Sequence, residues 1–197
     1  MDIRIIRELE QWAKELNEVF TLPDLKVALR EKSQATLFRK IKELVSCGEL
    51  IKVKRGLYAS SKASLEVISS RIERNAYIST GTILAKNAII GSVPGYKVQA
   101  VKVGSPRNYI CELGNIEHFS IEAKHFFGYS EVNGVLRATA EKAFIDVWYY
   151  IYKGHRFSFN AQTDVNIEYL DKKLINTYLE KYDKRFITYL KNNMGSI

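Results

Sequence analysis

The sequence predicts an α+β protein in two parts. A compact N-terminal helical unit is closed by a β-hairpin. A longer part follows, with a small antiparallel sheet and helices before and after it. Three observations carry this. Apolar residues recur at three- and four-residue spacing three times within the first 46 residues, and each recurrence is bounded by capping or turn residues. Residues 97–103 alternate between polar and apolar, as a half-buried strand does, and several short β segments follow them. Helical periodicity returns after Thr139 and again from Val165 to Asn192.

In the first part, Ile5, Ile6, Leu9, Trp12, Ala13 and Leu16 make residues 3–18 an amphipathic helix. Thr21 with Asp24 three residues later forms an acidic capping box, and Pro23 falls in the first turn, where its missing N–H costs nothing. A short helix to about Leu29 buries Leu25, Ala28 and Leu29. After Arg30-Glu31-Lys32, Ser33 caps a third helix from Gln34 to about Ser46, with Leu37, Phe38, Ile41, Leu44 and Val45 as its expected buried face and Gly48 as its terminator. Leu50–Val53 and Leu57–Ala59 read as two strands joined by the turn Lys54-Arg55-Gly56. Three helices, a short turn between the second and third, and a basic hairpin describe a winged helix-turn-helix. A domain boundary falls in Ser60–Ser64, giving domains 1–62 and 63–197.

In the second part, helices are expected over Leu65–Arg74 and Thr80–Ile90, with Ser79 or Thr80 as the cap of the latter. A loop follows over Gly91–Gly95. Strands are expected at Lys97–Val103, Tyr109–Leu113, Ile116–Ala123, His125–Tyr129 and Val135–Arg137. A helix capped by Thr139 runs through Tyr150, and its end is rich in aromatic residues, namely Trp148, Tyr149, Tyr150 and Tyr152. These read as core, with an interface patch as the other reading.

Charge narrows the function. The 197 residues carry a net charge of +8, and residues 26–62 alone hold ten basic and three acidic side chains, a balance of +7. So compact a basic segment, on a unit of this shape, is the electrostatic footprint of a nucleic-acid binder. In that geometry the third helix enters the DNA major groove. Gln34 and Arg39 can pair with base edges, adenine and guanine respectively. Ser33 and Thr36, at the helix start, suit a phosphate, as do Lys40 and Lys42. On the hairpin, Lys52, Lys54 and Arg55 can reach the backbone or the adjacent minor groove. The competing reading is a protein-interaction adaptor with solvated lysines.

Other classes fare worse. With 46% hydrophobic residues the chain is too apolar to be disordered. No apolar run reaches the ~18 residues of a membrane span. The charged N-terminus is unlike a signal peptide, and Cys47 and Cys111 read as small buried hydrophobes, so a reduced, cytoplasmic protein is expected. There is no phosphate-binding glycine loop. His118, His125 and His155 are dispersed and read as surface or strand residues, so no metal, cofactor or catalytic site is expected. Gly104-Ser105 is shared with the start of a nucleotidyltransferase motif, but no paired aspartates follow.

The chain resembles the AbiEi family of antitoxins from type IV toxin–antitoxin (abortive infection) systems. The resemblance rests on three segments: Phe20-Thr21-Leu22-Pro23-Asp24-Leu25 with the wing Lys54-Arg55-Gly56-Leu57-Tyr58, then Tyr77 through Leu84, and Ala138 through Asp146. It spans most of residues 3–152. It implies a negative autoregulator that binds inverted repeats in double-stranded DNA of its own promoter. It also implies an antitoxin that counteracts a nucleotidyltransferase-like toxin encoded beside it. Family antitoxins need not form a stable complex with the toxin, so the resemblance leaves direct contact open. DNA binding would belong to the winged helix and antitoxicity to the second domain.

Overall fold

The computed structural model describes residues 3–91 and 95–194. Residues 92–94, in the expected Gly91–Gly95 loop, lie outside them. The fold is mixed α+β, and the chain divides into two compact units. One comprises Met1–Arg74 with Asn108–Ile116, the other Asn75–Arg107 with Glu117–Ile197.

The first unit runs α1 (Ile3–Glu15), β1 (Val19–Thr21), α2 (Leu22–Ala28), α3 (Gln34–Ser46), β2 (Ile51–Lys54), β3 (Leu57–Ala59) and α4 (Leu65–Ile72). The Thr21 capping box forms: its Oγ1 accepts the Asp24 N–H (3.4 Å) and Asp24 Oδ2 accepts the Thr21 N–H (2.8 Å). Leu9, Ala13, Phe20, Leu25, Leu29, Leu37, Ile41, Leu44, Leu50 and Tyr58 build one core. Strand β1 was not expected. It pairs antiparallel with β3 (Val19↔Ala59, Thr21↔Leu57) and makes a three-stranded sheet of order β1-β3-β2. Because α1 ends at Glu15 rather than 18, Val19 and Phe20 are free to enter that sheet, where both are fully buried.

Helix α4 belongs to this unit, although the sequence boundary puts it in the second. It buries Leu65, Ile68 and Ser69, and the Arg71 guanidinium donates to the Leu16 carbonyl (3.2 Å).

The second unit runs β4 (Ala76–Ile78), α5 (Thr80–Lys86), β5 (Lys97–Val103), β6 (Arg107–Cys111), β7 (Gly114–Ile121), β8 (Tyr129–Val132), β9 (Val135–Ala138), α6 (Ala140–Tyr152), α7 (Lys172–Leu179) and α8 (Lys184–Met194), with residues 108–116 grouping with the first unit. The sheet has six strands, ordered β6-β7-β5-β4-β9-β8.

The expectation of a small, all-antiparallel sheet is corrected. Strand β4 pairs antiparallel with β5 but parallel with β9 (Ile78↔Arg137), a pairing that requires a long crossover. Residues 98–101 of β5 are all buried, so this is a central strand and not a half-exposed one. Gln99 tolerates that burial because its polar groups are satisfied: it accepts from the Thr80 hydroxyl (2.8 Å) and donates to Glu117 (2.9 Å). The segment expected as a strand at His125–Tyr129 begins instead in a 3-10 turn (Ala123–His125), and β8 starts only at Tyr129. The C-terminal helical stretch is broken between Leu179 and Lys184.

Helix α6 is the centre of this unit, and residues 142–150 are all buried. No described helix is long and apolar enough to cross a membrane.

Candidate nucleic-acid interface

Helix α3 starts where Ser33 accepts the Thr36 N–H (3.5 Å), so that N–H is committed to the cap and is not free for a phosphate. Leu37, Ile41 and Leu44 form its buried stripe. The opposite face exposes Gln34, Ala35, Phe38, Arg39, Lys42, Glu43 and Ser46, while Thr36 is half-buried. Phe38 contradicts its expected burial: it is 44% exposed. At ~100° per residue it lies about a quarter turn off the stripe that Leu37, Ile41 and Leu44 define. Val45 is only half-buried.

The cations on α3 separate into two kinds. Arg39 and Lys42 are exposed, and no carboxylate pairs with either among the described residues. Lys40 faces another way and forms an ion pair with Glu31 (2.5 Å), with only 24% of its side chain exposed. That pair fastens α3 to the turn before it and takes Lys40 out of the exposed set.

The hairpin presents its cations by strand alternation. Ile51 and Val53 point into the core and Lys52 points out. Arg55 is exposed in the turn, where Gly56 takes the left-handed conformation (φ +78°). The Gly56 carbonyl accepts the Leu22 N–H (3.2 Å), which ties the turn to the start of α2. Lys54 is half-buried, with its ammonium 5.8 Å from the Tyr109 ring centroid. Tyr109 therefore positions a wing cation from 55 residues away. Neither residue type nor local spacing signals such a contact.

The second unit holds a polar centre that sequence reasoning also missed. Lys142 and Asp146, one turn apart on α6, form a fully buried ion pair. Asp146 Oδ2 also accepts from the Tyr77 hydroxyl (3.0 Å) and the Ser79 hydroxyl (2.7 Å), and Lys142 donates to the Tyr182 hydroxyl (3.0 Å). Burial, with Asp146 nearby, holds the Tyr77 and Tyr182 phenols well above their usual range. A Lys/Asp pair at i,i+4 inside an apolar run is the signal that could have found this centre. No group of His, Cys, Asp and Glu able to hold a metal occurs among the described residues.

The expectation of a surface or strand histidine holds for His118, which is buried in strand β7, and is corrected for His125, which is 1% exposed in a 3-10 turn; Cys47 is exposed rather than buried. His125 stacks face to face on Tyr182 (4.1 Å between centroids) and edge-on against Tyr149, and neither of its ring nitrogens has a hydrogen-bond partner. Burial, then Lys124 and to a lesser degree Lys142, pull its pKa below the usual 6.5, while Glu122 and Asp183 oppose them. The unfolded chain therefore takes up this proton first. The associated stability is present above pH ~6.5 and is lost as pH falls towards the folded-state pKa. The midpoint of thermal unfolding is expected to drop between pH 7 and pH 5.5, and to drop less in His125→Phe, which keeps the ring stack. Calorimetry across that range checks it, and equal slopes in the two proteins would exclude His125 as the source. Glu122 and Asp164, whose carboxyls are held low, lose their contributions only at more acid pH.

No family model matches the chain, and no curated protein matches it. A solved structure similar over the full length is the crystal structure of the RV2827C protein from Mycobacterium tuberculosis. It is 13% identical with a TM-score of 0.64, and the match covers all of this chain and 78% of that one. At that identity the likeness is one of fold alone.

Proposed function

We propose that the chain is a DNA-binding transcriptional autorepressor and the antitoxin of a type IV toxin–antitoxin system. In this reading α1, α2, α3 and the β2–β3 hairpin with β1 act as a winged helix. Helix α3 lies in the major groove and the Lys54-Arg55-Gly56 turn follows the backbone. The observation that carries the DNA-binding part is the set of exposed cations on α3 and the hairpin, Arg39, Lys42, Lys52 and Arg55, that have no carboxylate partner among the described residues. Arg30 pairs with Glu8 and Lys40 with Glu31, whereas these four have no carboxylate partner among the described residues and are available to phosphates and base edges. The antitoxin part rests on the AbiEi resemblance, with a nucleotidyltransferase-like toxin as the functional partner and the second unit as the bearer of antitoxicity. No catalytic role is assigned.

The test is fluorescence anisotropy with a duplex covering the DNA upstream of the chain's own reading frame. With about four phosphate contacts, log K should fall against log[salt] with a slope of about −3.5. Absence of binding, or binding that ignores salt, would reject the DNA reading and favour the adaptor. Co-expression with the neighbouring toxin gene, scored by growth, tests the antitoxin part separately.

A further inference from the structure

Phe38 is an aromatic side chain in the middle of a cationic helix face. A single exposed apolar residue is ordinary on a protein surface and by itself signals nothing. Here its neighbours decide. On α3 the residues three and four positions away are the exposed Gln34, Ala35 and Lys42 and the buried Ile41, and Arg39, next in sequence, is exposed. A docking site for a protein would surround such a ring with further apolar side chains. The exposed helix neighbours of this ring are one small methyl group, one amide and two cations without a carboxylate partner among the described residues. The partner it fits is therefore strongly anionic and carries an apolar spot at the depth a recognition helix reaches. The DNA major groove has that composition, with phosphates at its rims and thymine C5-methyl groups on its floor, which Phe and Ala contact.

We propose that Phe38, with Ala35, is a sequence-reading residue that packs on thymine methyl groups, so that α3 selects an A·T pair within two steps of the base pair read by Gln34. This rests on the DNA-binding reading above and extends it to the base composition of the site. The spacing supports it. Gln34 and Phe38 stand four residues apart on one face, ~6 Å along the helix, and consecutive base pairs are ~3.4 Å apart, so the two side chains meet base pairs one to two steps apart when the helix lies along the groove. An amide that pairs with adenine and a ring that packs on thymine specify the same kind of step.

The experiment exchanges thymine for deoxyuridine, which deletes only the methyl group. The probe is the tightest duplex selected by the full-length chain from a random 20-base-pair library, synthesised in both forms. The unaltered chain is expected to bind the uracil duplex about fourfold more weakly for each contacted methyl. Phe38→Ala is expected to bind the thymine duplex more weakly and the two forms within a factor of about 1.5, while Phe38→Leu, which keeps an apolar contact, retains part of the discrimination. Circular dichroism confirms that both variants are folded. Equal binding of both duplexes by the unaltered chain, discrimination that persists in Phe38→Ala, or selected sequences without thymine would each overturn the assignment. If the unaltered chain selects no duplex at all, the DNA-binding reading itself falls, and this assignment with it.

Discussion

Asp146→Asn is expected to cost about 3–5 kcal/mol, a large share of a domain's ordinary 5–15 kcal/mol, and to leave the second unit at or near unfolding. The carboxylate serves three donors at once: the Lys142 ammonium, the Tyr77 hydroxyl and the Ser79 hydroxyl. Both members of the ion pair are fully buried, so an amide at position 146 leaves a cation out of water without a counter-charge. Burial already pulls the Lys142 pKa down, and the Asp146 charge is what opposes that pull. The lysine also sits among the rings of Phe127, Tyr77 and Tyr182, 5.0, 5.5 and 5.7 Å from their centroids, and rings alone do not replace a carboxylate. Urea unfolding followed by near-UV circular dichroism measures the loss. The informative control is the double variant Lys142→Met with Asp146→Leu. Removing both charges removes the unpaired-charge penalty, so the double variant should be more stable than the single one, short of the unaltered chain by the cost of the Tyr77, Ser79 and Tyr182 hydroxyls left without these partners. If the single variant costs under ~1 kcal/mol, the pair is not the organising centre of α6.

This centre also shows where sequence reading stopped. Glu141 and Lys142 both stand in the first turn of a helix; the i,i+4 spacing of Lys142 and Asp146 hints at a pair, but nothing local says that the pair is fully buried while Glu141 is only half-buried. The distinction comes from Tyr182, forty residues later, and from Tyr77 and Ser79, which precede α6 by more than sixty. By contrast the ends of α2, α3 and α6 were legible, because Thr21, Ser33 and Thr139 act through bonds three residues away. Strands β1 and β4 were not. Each is three residues long, too short to show a period, and all three residues of β4 are buried.

In the candidate interface the positions of Arg39, Lys42 and Lys52 followed from helix and strand periodicity, and that of Arg55 from the turn that Gly56 marks. The pairing of Lys40 with Glu31, the stacking of Lys54 on Tyr109 and the exposure of Phe38 depend on how neighbouring elements pack.

The division among the α3 cations carries the second large expected effect. Arg39→Glu with Lys42→Glu should lower DNA affinity at least about 100-fold, since one Arg–base pairing is worth ~1–3 kcal/mol and each reversed charge adds repulsion from the phosphates. Fold stability should stay within ~0.5 kcal/mol, because both side chains are exposed and no carboxylate pairs with either among the described residues. Lys40→Gln should do the reverse. It removes the partner of a half-buried Glu31 and lowers the urea midpoint, while leaving DNA affinity within a fewfold of the unaltered chain. A segment read only by its net charge predicts equal losses for all three lysine and arginine positions. A helix with one cation tied to its own turn and two facing the groove predicts this split. Anisotropy titrations and urea curves on the same preparations separate the two, and equal affinity losses at positions 39, 40 and 42 would mean that α3 acts as diffuse positive charge and does not dock by a defined face.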